Sequence, residues 1–331
     1  MQQAVAAVEE LLHVAASSAA VFDGDKCLLD KPDLGRTMLE YLRVGRKAAV
    51  TPKSIDPVTA TVVASPHSPI SLQSLNKLHD HVKQRVYRTL IPHGLLARFD
   101  IDPITWRGPD QSACVRLQAV NGSGAVSLQA WSIFDPGDPF FTLQLVDNAV
   151  NGVQLDWIIL SDPAGERFDT DVTVDGRPTF FGTTSRNGIE EERAQLAGLA
   201  PGQVRHGLRG SAEVFRQIDT FLIALGHRSL KLEPLTYSSA WLFERRGFAY
   251  IAGHQLMKTI DEEFRPGGRL NGALDGSTPF RQPEQWQTVR GRAWAIHDGI
   301  LEVLGKRWDG LRMIRQLGRD AGVSTFPDAS Y

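Results

Sequence analysis

The sequence is poor in the features from which disulfide frameworks, metal centres and membrane spans are built. It holds only two cysteines, Cys27 and Cys114, and they lie far apart, so neither a disulfide framework nor a paired-cysteine metal site is indicated. No apolar run reaches the length of about 18 residues that could span a bilayer. The alanine-rich N-terminus has no basic leader and is interrupted by Glu9 and Glu10. We therefore expect a cytoplasmic protein with neither a metal cofactor nor a membrane partner.

An excess of one charge and several common catalytic motifs are also missing. The 36 lysines and arginines are balanced by 38 aspartates and glutamates. A nucleic-acid-binding protein usually carries a basic excess, so we expect no nucleic-acid partner. The chain contains no Gly-x-Ser-x-Gly elbow, no His-Glu-x-x-His motif and no Walker loop. These absences argue against the commonest hydrolases, zinc proteases and nucleotidases.

The composition is that of an ordinary globular protein, and the first part of the chain predicts a helical arm. The 331 residues, 42% hydrophobic and 22% charged, suffice for one large domain or two smaller ones. Within residues 1–66, the stretch 2–20 has an apolar stripe that predicts an amphipathic helix docked on the core or on another subunit, so homo-oligomerisation stays open. A connector rich in proline, serine and threonine follows between Pro52 and Pro69.

Residues 67–200 predict one helix followed by a β-rich part. Leucines and valines keep a helical period from Ser71 to Leu90, and Pro92 ends that pattern. Short β-rich runs separated by glycine, aspartate, asparagine and proline come next. They are Ala113–Val120, Val126–Phe134, Phe140–Val146, Leu155–Leu160 and Phe168–Val174. This order predicts an antiparallel meander or a large curved sheet.

Residues 201–260 predict a helix, a strand, a second helix and a further strand. The turn Gly-Leu-Arg-Gly-Ser-Ala starts at Gly207 and opens an amphipathic helix that Gly226 would end. The segment Ser229–Pro234 alternates apolar and charged residues as a half-buried strand does. Free N–H groups at a helix N-terminus bind a pyrophosphate well, and glycines let the backbone approach it closely. The turn therefore predicts a phosphate-binding loop.

This unit resembles the GCN5-related N-acetyltransferase superfamily. Members join a glycine-rich acetyl-CoA loop to a helix, a strand and a second helix that ends in Gly-Phe. Here the segment Leu-Phe-Glu-Arg-Arg-Gly-Phe, from Leu242 to Phe248, is the closest match, and the resemblance covers about 50 residues. It implies an α+β fold with a splayed, mainly antiparallel sheet flanked by helices, to which this chain adds N- and C-terminal extensions.

The resemblance also implies an activity, a cofactor and a set of site residues. The activity is acyl transfer from acetyl-CoA, the co-substrate, to an amine of a small molecule or a protein, by direct attack in a ternary complex. Glu233 is the candidate base and Tyr237 the candidate acid, since the tyrosine that often protonates the thiolate in this family falls on Phe243; Tyr250 is a second substitute. The cofactor-binding candidates are Arg205, Gly207, Arg209, Gly210, Ser211 and Phe243.

Residues 261–331 predict a loop-rich C-terminal extension. Thr259 and Glu262 form a possible capping box for a helix. Arginine, tryptophan and histidine then recur in irregular sequence and suggest a pocket for polar or planar ligands. The substrate-binding candidates are Arg281, Trp294, His297 and Asp298. The alternative interpretation is that these residues anchor the extension to the rest of the chain.

Two other classes of function stay open at this stage. The first is a non-catalytic protein of the same fold that binds a metabolite or a protein, which Phe243 in place of tyrosine favours. The second is an enzyme of another reaction type built around His297 and Asp298. The acceptor is beyond the sequence, because acceptor pockets are formed by variable loops.

Overall fold

The computed structural model describes residues 68–133, 137–180 and 185–331. The expected N-terminal arm, with its amphipathic helix, lies outside the described residues. Within the described ranges no helix combines the length and the apolar character needed to cross a bilayer.

The described chain folds into α-helices around one β-sheet. The helices are α1 (Leu72–Asn76), α2 (Asp80–Tyr87), α3 (His93–Ala97), α4 (Gly188–Leu196), α5 (Ser211–Ala224), α6 (Tyr237–Glu244), α7 (His254–Phe264), α8 (Arg269–Gly272) and α9 (Val289–His297). The strands are β1 (Val115–Gln118), β2 (Ala125–Ala130), β3 (Phe141–Asp147), β4 (Val153–Leu160), β5 (Ser229–Leu232), β6 (Ala249–Ala252) and β7 (Arg312–Gln316). Short 3₁₀ turns occur at Arg88–Leu90, Pro283–Gln287 and Ile300–Leu304.

The seven strands form one open α+β sheet in the order β1-β2-β3-β4-β5-β7-β6. Five neighbouring pairs are antiparallel, and β4 and β5 are parallel. A parallel pair needs a crossover, and the chain between β4 and β5 supplies it with α5 as its last helix. The prediction of a mainly antiparallel sheet flanked by helices is confirmed.

The two parallel strands pair over only part of their length. Their register joins Val153 to Leu230 and ends with Leu155 opposite Leu232. Strand β5 ends there, whereas β4 continues to Leu160 and pairs with β3 from Trp157 onward. The sheet therefore has an opening beside β4, past the end of β5.

Helices α5 and α6 pack on each other and on the sheet through aromatic rings. Phe215 of α5 meets Phe243 of α6 edge-on at 6.1 Å between ring centroids. Phe248 lies 5.6 Å from the Phe215 ring and 5.5 Å from the Phe243 ring. All three side chains belong to the main buried core. Contacts between aromatic rings are stabilising, so this cluster holds the N-terminal part of α5 against the end of α6.

The helix predicted from Ser71 to Leu90 is interrupted in the structure. It consists of α1, α2 and the Arg88–Leu90 turn, and His79 between α1 and α2 has an extended backbone with ψ 148°. The apolar residues keep their helical spacing across the break, so the periodicity of the sequence could not reveal it. Helix α1 is held from outside, since the Asp147 carboxylate accepts the N–H groups of Leu72 at 2.9 Å and Gln73 at 2.8 Å.

Two further sequence predictions differ from the structure. The run Phe168–Val174 forms no strand, and only an isolated bridge joins Val172 to Pro178. Its backbone groups bond within turns, since the Thr170 N–H donates to the Phe168 carbonyl and the Thr173 N–H to the Arg177 carbonyl, both at 2.8 Å. Thr259 does not cap a helix, because α7 already starts at His254 and the Thr259 hydroxyl donates to the Gln255 carbonyl.

The segment predicted as a loop-rich extension contributes to the sheet. Strand β7 lies between β5 and β6, where Met313 pairs with Leu232 and Ile314 pairs with Ala249. Helix α7 runs across the expected boundary at residue 260, and α9 follows later in the same segment. A second buried cluster joins this segment to the crossover and consists of Phe168, Ala194, Leu199, Phe280 and Trp294.

Candidate functional site

The glycine turn lies at the free end of β4, beside the opening in the sheet. Gly207 bridges to Ser161, and the Leu208 N–H donates to the Leu160 carbonyl at 3.1 Å. A Cβ on Gly207 would stand 3.3 Å from that carbonyl oxygen, so the close approach of the two backbones favours glycine. The turn therefore extends the edge of β4 and leads directly into α5.

The N-terminus of α5 presents a row of unused backbone donors. Gly210 is its N-cap residue and supplies no side chain to cap the helix. Among the described residues none accepts from the N–H groups of Arg209, Gly210, Ser211 and Ala212. The helix dipole adds partial positive charge at the same place. This end of α5 is therefore suited to an anion.

An arginine from the end of α6 adds a full positive charge to these donors. Arg246 donates from Nε to Ser211 Oγ at 3.1 Å and from Nη1 to the Arg245 carbonyl at 3.4 Å. No carboxylate in the described part of the chain pairs with it. Burial and the nearby charges of Arg245 and Arg315 lower the pKa of Arg246. A bound anion would stabilise this guanidinium, so Arg246 and the helix N-terminus favour the same kind of ligand.

Gly210 leaves room for that ligand. A Cβ built on it would have no atom of the described residues within 4 Å. Its φ of −177° is extended backbone that any residue adopts. Neither the protein's own packing nor backbone strain therefore requires glycine at this position, whereas close approach of a ligand to the backbone would.

The remaining cofactor candidates differ in whether their side chains already contact other groups of the protein. Arg205 is bound by the Gly165 carbonyl and lies 3.5 Å from the Asp138 carboxylate. The Arg209 carbonyl accepts from Arg98 at 3.0 Å, and its own side chain is exposed. Phe243 is buried against Phe215 in the core. The structure thus gathers Gly207, Arg209, Gly210 and Ser211 in one loop, whereas the side chains of Arg205 and Phe243 contact other parts of the protein.

The two catalytic candidates lie on either side of the start of α6. Glu233 follows the last paired residue of β5 and is exposed at the opening of the sheet. Tyr237 is only 1% exposed, and its hydroxyl has no hydrogen bond of ordinary geometry within the described residues. Burial raises the pKa of Tyr237 to about 12, although the neighbouring Arg292 guanidinium opposes the shift. Tyr250, the alternative acid, donates to Glu244 at 2.6 Å.

Comparison with known proteins gives no match. No family model, no curated protein and no solved structure matches this chain. The features that bear on function are therefore the Gly207–Ser211 turn, the end of β4 and the arginines around them.

The four substrate-binding candidates lie together, but they bind one another and the crossover segment. Arg281 donates to the Asp298 carboxylate at 2.9 Å and to the Asp298 carbonyl at 2.7 Å. His297 Nε2 lies 3.1 Å from Glu191 of α4. The Trp294 indole N–H donates to the Leu199 carbonyl at 2.8 Å, and its ring stacks on Phe280. These contacts agree with an anchoring role, the alternative that the sequence left open.

Arg186 joins this cluster and ties Glu191 to Asp298. It donates to Glu191 at 2.7 Å and to Asp298 at 3.0 Å. Burial raises the pKa of Glu191, but the hydrogen bonds from His297 and Arg186 outweigh it and hold that pKa below the ordinary value of 4.5. The carboxylate therefore stabilises the fold above pH 4.5 and loses this contribution as the pH falls through the lowered pKa.

We expect Glu191→Gln to lower the free energy of unfolding by about 1–3 kcal/mol at pH 7, because charge-assisted hydrogen bonds to a buried side chain are lost. The difference from the wild-type protein should shrink as the pH falls below the lowered pKa of Glu191. Urea unfolding of both proteins at pH 7 and pH 3 measures it. A difference of equal size at both pH values would contradict the assignment.

The sequence did not single out the cation at the site. Arg246 lies within the Leu-Phe-Glu-Arg-Arg-Gly-Phe segment, but a motif match does not tell which of two adjacent arginines turns toward α5. Arg98 comes from α3, more than 100 residues earlier, and no local pattern connects it to Arg209. Helical spacing from Phe243 gives some signal, since Phe243 and Arg246 are three residues apart and both contact α5.

Proposed function

We propose that the chain binds acyl-CoA at the Gly207–Ser211 turn and transfers its acyl group, in the first instance acetyl, to an amine. The observation that carries the proposal is the row of four N–H groups at the N-terminus of α5 that have no acceptor in the described ranges, beside an arginine that has no carboxylate partner there. It stands where the sheet opens between β4 and β5. The GNAT-like fold implied by the sequence resemblance belongs to the same proposal.

The diphosphate of CoA suits the α5 N-terminus. Backbone N–H groups at a helix start bind phosphate oxygens, and the dipole favours their charge. Arg246 would add a charge-assisted hydrogen bond from the α6 side. The open space at Gly210 would let the diphosphate reach the backbone. Among the described residues the four N–H groups have no acceptor, and Arg246 has no carboxylate partner.

The opening between the strands suits the pantetheine arm. That arm is an extended chain with two amides, and an unpaired strand edge binds such chains by main-chain hydrogen bonds. Beyond the end of β5, strand β4 offers such an edge at Ile158, which is half-buried, up to the Leu160 carbonyl that the Leu208 N–H already occupies. An arm running from the turn along this edge would lead toward Leu155 and Leu232, where pairing with β5 starts.

The residues at the inner end of that opening determine the proposed chemistry. Acetyl-CoA would supply the acyl group as a thioester. Glu233, the residue after Leu232, would accept the proton of the attacking amine, and an N–H of the free edge of β4 would polarise the acyl carbonyl. Tyr237 remains the proposed acid, and its hydroxyl is protonated at neutral pH because its pKa is raised to about 12. Positioning provides most of the rate enhancement in such a site.

A non-catalytic protein that keeps the acyl-CoA site is the second candidate. Phe243 lacks a proton to donate, and Tyr237 is 1% exposed and lies beneath Trp308. A protein with this arrangement would bind acyl-CoA and release no free thiol. Mass spectrometry of reactions with a panel of amines would separate the candidates, since only the enzyme yields acylated products and free CoA.

The binding proposal is tested by isothermal titration with acetyl-CoA, desulfo-CoA and ATP at moderate salt. Micromolar binding of both CoA compounds, with ATP much weaker, is the expected result, because ATP shares the phosphates and adenine but has no pantetheine arm. Equal binding of ATP would mean that the site recognises phosphates and does not bind the pantetheine arm. No binding of either CoA compound would overturn the transferase proposal and the binding-protein alternative together.

A further inference from the structure

An open cleft lies between helix α4 and the segment from Gly276 to Gly291. Its volume is about 620 Å³, which is in the range of small-molecule sites. Leu199 and Trp294 line it, and both side chains are buried. No residue of the Gly207–Ser211 turn lines it, so the cleft is a separate surface from the proposed acyl-CoA site.

Three glutamines in the wall of the cleft are fixed in a shared orientation. The Nε2 groups of Gln195 and Gln285 both donate to the Pro279 carbonyl, at 3.2 and 3.0 Å. Gln282 Nε2 donates to the Thr278 carbonyl at 2.8 Å. Because each amide nitrogen is occupied in this way, each amide oxygen is left as an acceptor, and no described residue donates to any of the three.

The amide oxygen of Gln285 lowers the stability of the protein as long as no hydrogen-bond donor reaches it. Gln285 is 7% exposed, and its buried Oε1 has no hydrogen-bond partner in the part of the chain that the structure describes. A buried acceptor without a partner costs about 1–3 kcal/mol. An N–H group of a bound molecule would remove this cost, and the two neighbouring glutamine oxygens would receive further N–H groups of the same molecule.

The charges around the cleft favour a cationic group. Glu192 of α4 and Glu284 of the opposite wall line it, and both side chains are exposed. No ion pair joins either of them to another described residue. Arg290 also lines the cleft, but its guanidinium stacks over the Tyr331 ring at 4.4 Å. Two carboxylates against one engaged arginine leave the cleft negative.

We infer that this cleft binds a small molecule bearing a guanidinium or ammonium group. The cationic head would donate to the glutamine oxygens between Glu192 and Glu284, and the aliphatic part would lie on Leu196, which lines the cleft and is 82% exposed. The inference does not depend on the proposed acyl transfer, because the cleft shares no lining residue with that site.

Agmatine, which carries a guanidinium, an ammonium and an aliphatic chain, is the probe for this inference. We expect saturable binding to the full-length protein by isothermal titration, with a Kd below about 1 mM at low salt. The double variant Glu192→Gln/Glu284→Gln should bind it at least about tenfold more weakly. Glu302→Gln, a change at an exposed carboxylate that does not line the cleft, should leave the affinity unchanged.

Three outcomes would overturn the inference. They are no saturable agmatine binding, equal binding to the double variant, and equal binding of n-pentylurea, a neutral molecule with amide N–H donors. A thermal unfolding midpoint of the double variant close to that of the wild-type protein would show that any loss of affinity comes from the cleft. Acetyl-CoA titrations of the same samples report on the other site independently.

Discussion

Gly210→Asp should weaken acetyl-CoA binding at least about 100-fold while leaving the fold as stable as before. An aspartate at the N-cap of α5 would accept the N–H groups that the diphosphate is proposed to use, and its charge would repel the phosphates. Nothing in the protein opposes the new side chain, since a Cβ at residue 210 meets no atom within 4 Å and φ is −177°. A helix cap of this kind stabilises by a few tenths of a kcal/mol relative to glycine.

The matched control is Gly210→Asn, which caps the helix with nearly the same shape and no charge. We expect it to weaken acetyl-CoA binding about tenfold, because it competes for the N–H groups without repelling the ligand. Isothermal titration gives the affinities, and thermal unfolding shows whether both variants keep the wild-type midpoint. Wild-type affinity in the aspartate variant would place any CoA site elsewhere on the protein.

Arg292→Met should lower the free energy of unfolding by about 3–5 kcal/mol, the largest effect on stability that we expect of a single change. Arg292 is 1% exposed; it pairs with Asp261 at 2.8 Å, donates to the Trp286 carbonyl at 2.7 Å and lies 3.4 Å from the centre of the Phe326 ring. Methionine fills much of the space but leaves the buried Asp261 carboxylate without this partner. Urea unfolding at pH 7 measures the loss.

Arg265→Met is the matched control, because Arg265 pairs with the same Asp261 carboxylate at 2.6 Å but its side chain is 56% exposed. An exposed pair contributes little, so this variant should lose less than about 1 kcal/mol. Adding Asp261→Asn to Arg292→Met should recover part of the stability, since it removes a buried charge that has lost its buried partner. Equal losses from the two arginine variants would mean that burial does not determine the strength of the Asp261 pairs.

The parts of the fold that follow from local pattern could be predicted from the sequence. The period of Val214, Ile218 and Phe221 marks α5, and Gly226 follows directly after its last turn. The alternation in β5 and the Gly-Phe after α6 are equally local. The glycine turn was recognised because a phosphate loop needs glycines and free N–H groups within a few adjacent residues.

The parts that depend on distant contacts could not be predicted. Strand β7 pairs with β5, which lies about 80 residues earlier in the sequence, and no local feature of Arg312–Gln316 indicates which strand it pairs with. The Arg186–Glu191–His297 contacts join α4 to α9, whereas the sequence showed only isolated polar residues near the C-terminus. Arginines and histidines that bind a ligand and those that bind carboxylates of the same protein have the same local pattern, so only the fold distinguishes them.

The segment between β4 and the glycine turn leaves the sheet and returns to it at one point. Ser161 bridges Gly207, the Asp162 N–H donates to the His206 carbonyl at 2.8 Å, and the Phe168 N–H donates to the Val204 carbonyl at 2.8 Å. A segment whose two ends are joined in this way can change in length at little cost wherever its residues are exposed, as residues 174–178 are. An insertion there should therefore leave β4 and the turn before α5 in place, whereas removal of the whole segment would take Phe168, Ala194 and Leu199 out of the cluster they share with Trp294.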